Sequence, residues 1–234
     1  MRKFVTWLLA CIAASSQPKA QSISSFDLLF KNSKQALYVE TSSLSAIHGT
    51  MKLYERKNEH TEWKLVYSFR VTVGRTGLAK DAENLLRLPD TMPVKHEGDG
   101  KSPAGIFQLG AVFSYHDLEK LHMPFVRVDT TDLCVDDENS AYYNTLIRSD
   151  SAKHDYNSFE YMKRRDSLYE YGVWVLYNST PVRRGNGSCI FLHVWRDENS
   201  PTAGCTAMSR ENILKLIYRL DKKKNPVLVQ VVSR

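Results

Sequence analysis

A histidine and a cysteine twelve residues apart are the first candidates for chemistry in this sequence. The stretch SCIFLHVWRDENSPTAGCTAM, residues 188–208, places His193 in an apolar run and Cys205 directly after Gly204. A cysteine nucleophile needs a base within hydrogen-bonding distance, backbone N–H groups that face the developing oxyanion, and partial exposure. The stretch offers candidates for all three. On the residues alone two interpretations stay open: a nucleophile with its base, or half of a disulfide beside a structural histidine.

The backbone around Cys205 is suited to holding an oxyanion. Gly204 lets the chain approach a substrate carbonyl closely or adopt a strained turn. The N–H groups of Gly204, Cys205 and Thr206 are therefore candidates for a shared oxyanion hole. A histidinium beside the thiol would lower its pKa from the free value of about 8.5.

The sequence has four cysteines that are available for disulfide bonds: Cys11, Cys134, Cys189 and Cys205. If Cys11 is removed or lipidated, three remain, and an odd number in an exported protein leaves at least one thiol unpaired or paired between chains. The sequence does not fix the pairing, but a Cys134–Cys189 bridge is the one that spares Cys205. No CxxC, HxxxH or HExxH spacing occurs, so we expect no metal site and no cofactor.

The first twenty residues have the order of an export signal. Arg2 and Lys3 precede an apolar run over residues 4–14, and small residues follow as far as Ala20. The run is about eleven residues, which is too short to span a bilayer. We predict a signal peptide at residues 1–20 and a periplasmic or otherwise exported protein. The alternative is a lipoprotein anchored to the membrane through Cys11.

The charge of the chain argues against nucleic acid as a partner. The formal net charge is +6, and three of these charges (Arg2, Lys3 and Lys19) precede residue 21 with no acid among them, which leaves +3. The remaining basic residues form no dense stripe of the kind that binds nucleic acid. A weakly basic exported protein suits an anionic wall or membrane surface, and export places the cysteines in an oxidising compartment.

The pattern of apolar residues predicts a mainly β protein with a few helices, in the α+β class. Alternation of apolar and polar residues and enrichment in β-branched and aromatic types indicate strands. These strands are predicted at residues 35–41, 51–57, 63–74, 105–110, 172–178, 188–195 and 225–232. His193 is predicted to lie near the end of its strand, with the ring at the edge of the sheet.

Two helices and an insert complete the predicted architecture. Ser158 as N-cap and Gly172 beyond the end predict a helix over residues 158–172. Ser209 is a good N-cap for a second helix with one apolar face. Residues 111–170 are aromatic and charged, and we predict that they form a partly helical insert that acts as a lid or wall. Residues 21–234 are predicted to fold as a single domain.

Several motifs in order resemble the catalytic domain of L,D-transpeptidases, the YkuD-like family. They are GRTG after a strand, EGDGKSPAGIFQLG at 97–110 and FLHVW…SPTAGCTAM at 191–208. Residues 102–107 resemble the family's Thr/Ser-Pro-x-Gly-x-Phe strand, His193 its catalytic histidine, and residues 202–205 its Ser/Thr-x-Gly-Cys loop. The resemblance spans residues 50–232 and implies a β-sandwich or sheet domain with Cys205 and His193 as catalytic residues.

The resemblance implies an exported peptidoglycan L,D-transpeptidase that acts on stem peptides. Cys205 would form a thioester at the L-centre of the third stem residue, with Gly204 and Thr206 in the oxyanion hole. His193 would protonate the departing residue, and an amine would resolve the thioester into a cross-link. With water as acceptor the activity would be that of an L,D-carboxypeptidase or endopeptidase. An alternative of another class is a non-catalytic wall-binding module whose Cys205 is disulfide-bonded.

Two positions depart from the family pattern. Ala203 stands where many members carry a second histidine, and Ala207 where many carry an arginine. If that arginine holds a substrate carboxylate, another group must do so here, and Arg196 is the nearest candidate in sequence. Trp195 and Thr202 are further candidates for substrate binding. The acids at residues 136–138 lack EF-hand spacing, and we predict a solvated turn there.

Overall fold

The computed structural model describes residues 30–81, 86 and 88–233, and its regular structure is almost entirely β. The predicted signal peptide, with Cys11, lies outside the described residues. The strands are β1 Gln35–Thr41, β2 His48–Glu55, β3 Lys64–Thr72, β4 Leu78–Lys80, β5 Ser102–Ser114, β6 Phe125–Arg127, β7 Asp132–Val135, β8 Thr145–Arg148, β9 Phe159–Tyr161, β10 Tyr171–Val175, β11 Phe191–Val194, β12 Thr206–Met208 and β13 Val227–Val232. One α-helix, α1 Arg210–Arg219, and one 3-10 turn, Lys222–Lys224, accompany them in this part of the chain.

Eight of the strands pair in a closed ring. Their order is β10-β11-β12-β3-β2-β1-β13-β5, and β5 pairs back with β10. The length of β5, 13 residues, makes this possible. Residues 105–108 of β5 pair with β13, and residues 109–114 pair with β10. Because the ring closes, its strands leave few backbone groups without a partner, and the predicted mainly β fold is confirmed.

Helix α1 packs its apolar face onto the sheet that carries the candidate site. Ile213, Leu216 and Ile217 are fully buried, and their spacing places them on one side of the helix. The Ser209 hydroxyl accepts a hydrogen bond from the Asn212 N–H at 3.2 Å, as expected of the predicted N-cap. Within the described residues, no helix has the length and apolar character needed to cross a membrane.

The predicted helix over residues 158–172 is wrong. Residues 159–161 form β9, which pairs with β7 in a separate antiparallel three-stranded sheet of order β8-β7-β9, and β10 begins at Tyr171. Between them Asp166 accepts the Leu168 N–H, and Ser167 takes a left-handed φ of 58°, which a helix does not tolerate. Pairing of the aromatic residues in β9 outweighs the local capping signals. Residues 111–170 therefore contain strands and turns in place of the predicted helical insert.

A disulfide joins this small sheet to the main one. Cys134 in β7 is bonded to Cys189, two residues before β11, with the Cα atoms 6.0 Å apart. This is the pairing that spares Cys205, which carries the free thiol among the described cysteines. The β7–β9 sheet is thereby fixed beside the strand that carries His193.

We predict that replacing both Cys134 and Cys189 by serine lowers the free energy of unfolding by about 2–4 kcal/mol. The bridge spans 55 residues of sequence, so its loss restores conformational freedom to a long segment of the unfolded chain. Guanidinium unfolding followed by circular dichroism measures the change. Reductant should destabilise the wild-type protein by a similar amount and leave the double variant unaffected. A double variant as stable as the oxidised wild type would contradict this prediction.

Candidate active site

The pairing of β11 with β12 places the candidate nucleophile and base on one face of the sheet. The two strands are parallel, with His193 opposite Ala207. Cys205 immediately precedes β12, two residues before Ala207. Since side chains alternate between the faces of a strand, Cys205, Ala207 and His193 belong to the same face. All three line one cavity of about 550 Å³.

Hydroxyl groups fix the backbone of the cysteine loop. The carbonyl of Cys205 accepts hydrogen bonds from the hydroxyls of Ser102, at 2.7 Å, and Thr202, at 2.6 Å. Ser102 also accepts the Gly74 N–H at 2.8 Å, which ties the GRTG turn to the loop. Position 204 has little spare room, because a Cβ there would lie 3.2 Å from the Lys101 carbonyl oxygen. The loop therefore presents Cys205 from a rigid frame.

The ring of His193 is buried and held in one tautomer. Its Nδ1 lies 2.7 Å from the carbonyl oxygen of Val194. A carbonyl only accepts, so Nδ1 carries the proton and Nε2 keeps a lone pair. Burial lowers the pKa of His193 to about 4, and the positive charge of Arg164 acts in the same direction, while backbone hydrogen bonds with Val194 and Leu168 oppose the shift. His193 is therefore a neutral imidazole over most of the pH range.

The thiol of Cys205 is also held neutral. Burial raises its pKa above the ordinary value, and the charge of Glu160 raises it further. The Phe191 N–H, which donates to Sγ at 3.3 Å, lowers the pKa, as do the Lys95 ammonium and a hydrogen bond from Tyr169. These opposing contributions leave the thiol protonated, so the resting pair is a thiol and a neutral imidazole.

One backbone amide in the loop is available for an oxyanion. The N–H of Cys205 donates to no other described residue, whereas the N–H of Gly204 donates to the Thr202 hydroxyl at 3.1 Å. A substrate carbonyl oxygen beside Cys205 would thus accept a hydrogen bond from this N–H without displacing another acceptor. The predicted roles of Gly204 and Thr206 in the oxyanion hole stay predictions.

The residues predicted to bind substrate, Trp195, Arg196 and Thr202, all line the cavity. Arg196 is largely exposed and lies 4.0 Å from Asp166. The Thr202 hydroxyl is engaged by the cysteine loop, which gives it a structural role in addition to the predicted contact with substrate.

The sequence did not reveal a second group of residues that line the same cavity as Cys205 and His193. Tyr169 packs edge-on against His193, with ring centroids 5.1 Å apart, and its hydroxyl donates to Glu160. Asp136 and Glu97 extend this wall with further carboxyl groups. The erroneous helix over 158–172 concealed Glu160 and Tyr169, since their common position depends on β9 and β10. The solvated turn predicted at residues 136–138 holds for exposed Glu138 but not for Asp136, which lines the cavity, or for Asp137, which is buried.

Lys95 is a further charged side chain that the sequence did not single out. It is buried, and its ammonium donates to Asp99 at 2.7 Å and to the His96 carbonyl at 2.9 Å. It lines the cavity and favours the thiolate form of Cys205. Within the described residues, no group of three or more His, Cys, Asp or Glu side chains is arranged to hold a metal ion.

This geometry is suited to acyl transfer through a thioester. A thiol and a neutral imidazole share a cavity, and the imidazole can accept the thiol proton when a carbonyl carbon is presented to the sulfur. The alternative in which Cys205 is disulfide-bonded is wrong for the described cysteines, because Cys134 and Cys189 are bonded to each other and Cys205 is free.

Comparison with known proteins agrees with this chemistry. The family model of the L,D-transpeptidase catalytic domain, YkuD, matches residues 48–229, from β2 into β13, and includes both Cys205 and His193. No curated protein and no solved structure matches the chain. The match covers well over half of the sequence and confirms the resemblance predicted from the motifs. The chain belongs to the YkuD family of L,D-transpeptidase catalytic domains.

Proposed function

We propose that this protein is an exported peptidoglycan L,D-transpeptidase with Cys205 as nucleophile and His193 as base. The observation that carries the proposal is the thiol of Cys205 on the same cavity face as the imidazole of His193. The other described cysteines are joined to each other, so this thiol is free to react. Family membership supplies the substrate class, which is the peptidoglycan stem peptide.

In the first half-reaction the enzyme is acylated. Nε2 of His193 takes the proton from Cys205 as Sγ attacks the carbonyl carbon at the L-centre of the third stem residue. The negative charge that develops on the carbonyl oxygen is stabilised by the Cys205 N–H. The tetrahedral intermediate collapses to a thioester, and the proton on His193 passes to the nitrogen of the departing residue, usually D-Ala.

In the second half-reaction an amine releases the acyl group. The amine attacks the thioester carbonyl and gives its proton to His193. The sulfur of Cys205 leaves as a thiolate and recovers that proton, which restores the neutral resting pair and yields a cross-link. Water in place of the amine gives a free carboxylate, which is the outcome of carboxypeptidase or endopeptidase activity.

Arginines at the cavity support a substrate that carries a carboxylate. Arg75, Arg164 and Arg196 line the cavity, although Ala207 stands where many family members have an arginine. Arg164 is paired with Asp166 at 2.6 Å. Arg75 has no acidic partner among the described residues. We infer that Arg75 and Arg196 hold the substrate carboxylate in this chain, while Trp195 packs against the peptide.

The disulfide supports export. Disulfides persist mainly in oxidising compartments, and Cys134 and Cys189 are bonded to each other. The order of charge, apolar run and small residues at the N-terminus points the same way.

Product analysis decides between transfer and hydrolysis. The purified protein is incubated with disaccharide-tetrapeptides, and the products are identified by mass spectrometry. Transfer yields cross-linked dimers with loss of one D-Ala for each dimer. Tripeptide monomers alone would replace the transpeptidase assignment with the hydrolase, and unchanged substrate would overturn both.

We predict that Cys205→Ala and His193→Ala each lower kcat/KM by roughly a thousandfold or more, and that the double variant loses little beyond either one, since the two groups act as a unit. Turnover of the disaccharide-tetrapeptide measures the effect. His60→Ala is the matched control, because His60 is highly exposed and distant from the cavity. A Cys205→Ala variant with a tenth or more of wild-type activity would refute the nucleophile assignment.

We predict that kcat/KM stays near its neutral value down to about pH 5 and falls only as pH approaches the His193 pKa of about 4. Protonation removes the base, and the lowered pKa delays that loss relative to an ordinary histidine near 6.5. The same lowered pKa makes the native state lose stability as pH falls from about 6.5 toward 4, because the unfolded chain binds the proton first. Circular dichroism at each pH therefore serves as the control. A tenfold loss of activity by pH 5.5 with the fold intact would contradict the prediction.

A further inference from the structure

The sulfur of Cys205 is held by two backbone groups of the segment that leads into β11. The N–H of Phe191 donates to Sγ at 3.3 Å, and the thiol S–H donates to the carbonyl oxygen of Cys189 at 3.5 Å. A thiolate can keep the first of these bonds, but only a thiol has the proton for the second. The Cys189 carbonyl is therefore the acceptor that sets the direction of the S–H bond in the absence of substrate.

Cys189 presents this carbonyl from a backbone conformation that few residues other than glycine adopt. Its φ is 53°, in the left-handed region, where a Cβ lies too close to the following carbonyl oxygen. Such a conformation persists only where the surroundings enforce it. Two bonds of Cys189 do so: its side chain is joined to Cys134 in β7, and its N–H donates to Oδ1 of Asn144 at 2.9 Å.

Asn144, directly before β8, is a rigid partner for the Cys189 N–H. It is buried, and its side-chain nitrogen donates to two carbonyls in residues 177–178, at 3.0 and 2.7 Å. The chain two residues before Cys189 is anchored from the same place, since the Gly187 N–H donates to the Tyr143 hydroxyl at 3.1 Å. The approach to β11 is therefore fixed from the side of the β7–β9 sheet.

We propose that Cys189 is a positioning residue for the proposed nucleophile, and that its disulfide and Asn144 together keep its carbonyl directed at the Cys205 thiol. The contact fixes the rotamer of the thiol and so the side of the sulfur that a substrate carbonyl meets. When either anchor is lost, Cys189 returns to a negative φ and its carbonyl turns away, while Phe191 stays in place in β11. The nucleophile is thus fully positioned only once the bridge has formed, which ties activity to an oxidising compartment. The inference rests on the proposed function for the role of Cys205, but the contact itself needs no substrate.

The test reads the S–H bond of Cys205 directly, by the frequency of its Raman stretching band, which falls when the S–H donates a hydrogen bond. The band is isolated as the difference between each protein and the same protein with Cys205→Ser. Two variants remove the bridge: Cys134→Ser/Cys189→Ser places at 189 a residue that avoids the left-handed region, and Cys134→Ser/Cys189→Gly places one that adopts it readily. Asn144→Ala removes the other anchor and keeps the bridge. Lys120→Gly, at an exposed residue with a φ of 59° outside the cavity, is the matched control.

We expect the bands of Cys134→Ser/Cys189→Ser and Asn144→Ala to move to higher frequency, and the band of Cys134→Ser/Cys189→Gly to stay closer to that of the wild type. The serine variant should also lose about tenfold or more in kcat/KM on the disaccharide-tetrapeptide, with part of the loss restored by glycine. Circular dichroism establishes that each variant is folded at the temperature of measurement. An unshifted band in the folded serine variant or in folded Asn144→Ala would overturn the proposal. Equal shifts with serine and with glycine would also overturn it, since the bridge would then act on the thiol independently of the conformation of residue 189.

The Raman outcome is separable from that of the proposed function. If product analysis finds no turnover of stem peptides, the Raman series still reports on Cys189 and its two anchors. If the Raman series contradicts the positioning role, Cys205 and His193 keep their proposed roles. The two proposals are therefore decided by different measurements.

Discussion

The parallel pairing of β11 with β12 is the constraint on which the site depends. Its register sets His193 opposite Ala207, and the chain reaches Cys205 just before β12 begins. A slip of one residue would turn the β12 side chains to the other face of the sheet, and the thiol and the imidazole would no longer share a cavity. The hydroxyls of Ser102 and Thr202 hold the Cys205 carbonyl and so secure this register from the loop side. The neighbouring strands of the closed ring then fix β11 and β12 in place.

The part of the cavity wall formed by Asp136, Glu160 and Tyr169 is held in place by other interactions. The β7–β9 sheet is small, with three strands of only three or four residues each. A disulfide to Cys189 and the packing of Tyr169 on Phe113 and Phe191 attach this region to the main sheet. This wall carries carboxyl groups, and the guanidinium of Arg164 lies among them, 5.1 Å from the centroid of the Tyr169 ring.

The sequence was a good guide where the local pattern and the final contacts agree. Strand β1 has the predicted bounds, and Ser209 caps the helix that was expected after it. The helix over residues 158–172 failed because Ser158 and Gly172 are local signals, whereas the pairing of Tyr161 with Leu133 is set by tertiary structure. Because of the wrong helix, Glu160 and Tyr169 were left out of the predicted site. Cys205 and His193 were predictable because their motifs are continuous in sequence, while Glu160 and Tyr169 become neighbours of Cys205 only in the fold.

The burial of the Cys205 thiol has a consequence for the lifetime of the protein. Peroxide and other oxidants attack the thiolate and convert it to sulfenic and then to sulfinic acid, the second step being generally irreversible. A thiol held neutral and 6% exposed presents little of the susceptible form. The burial of Cys205 thus protects the proposed nucleophile from oxidative damage.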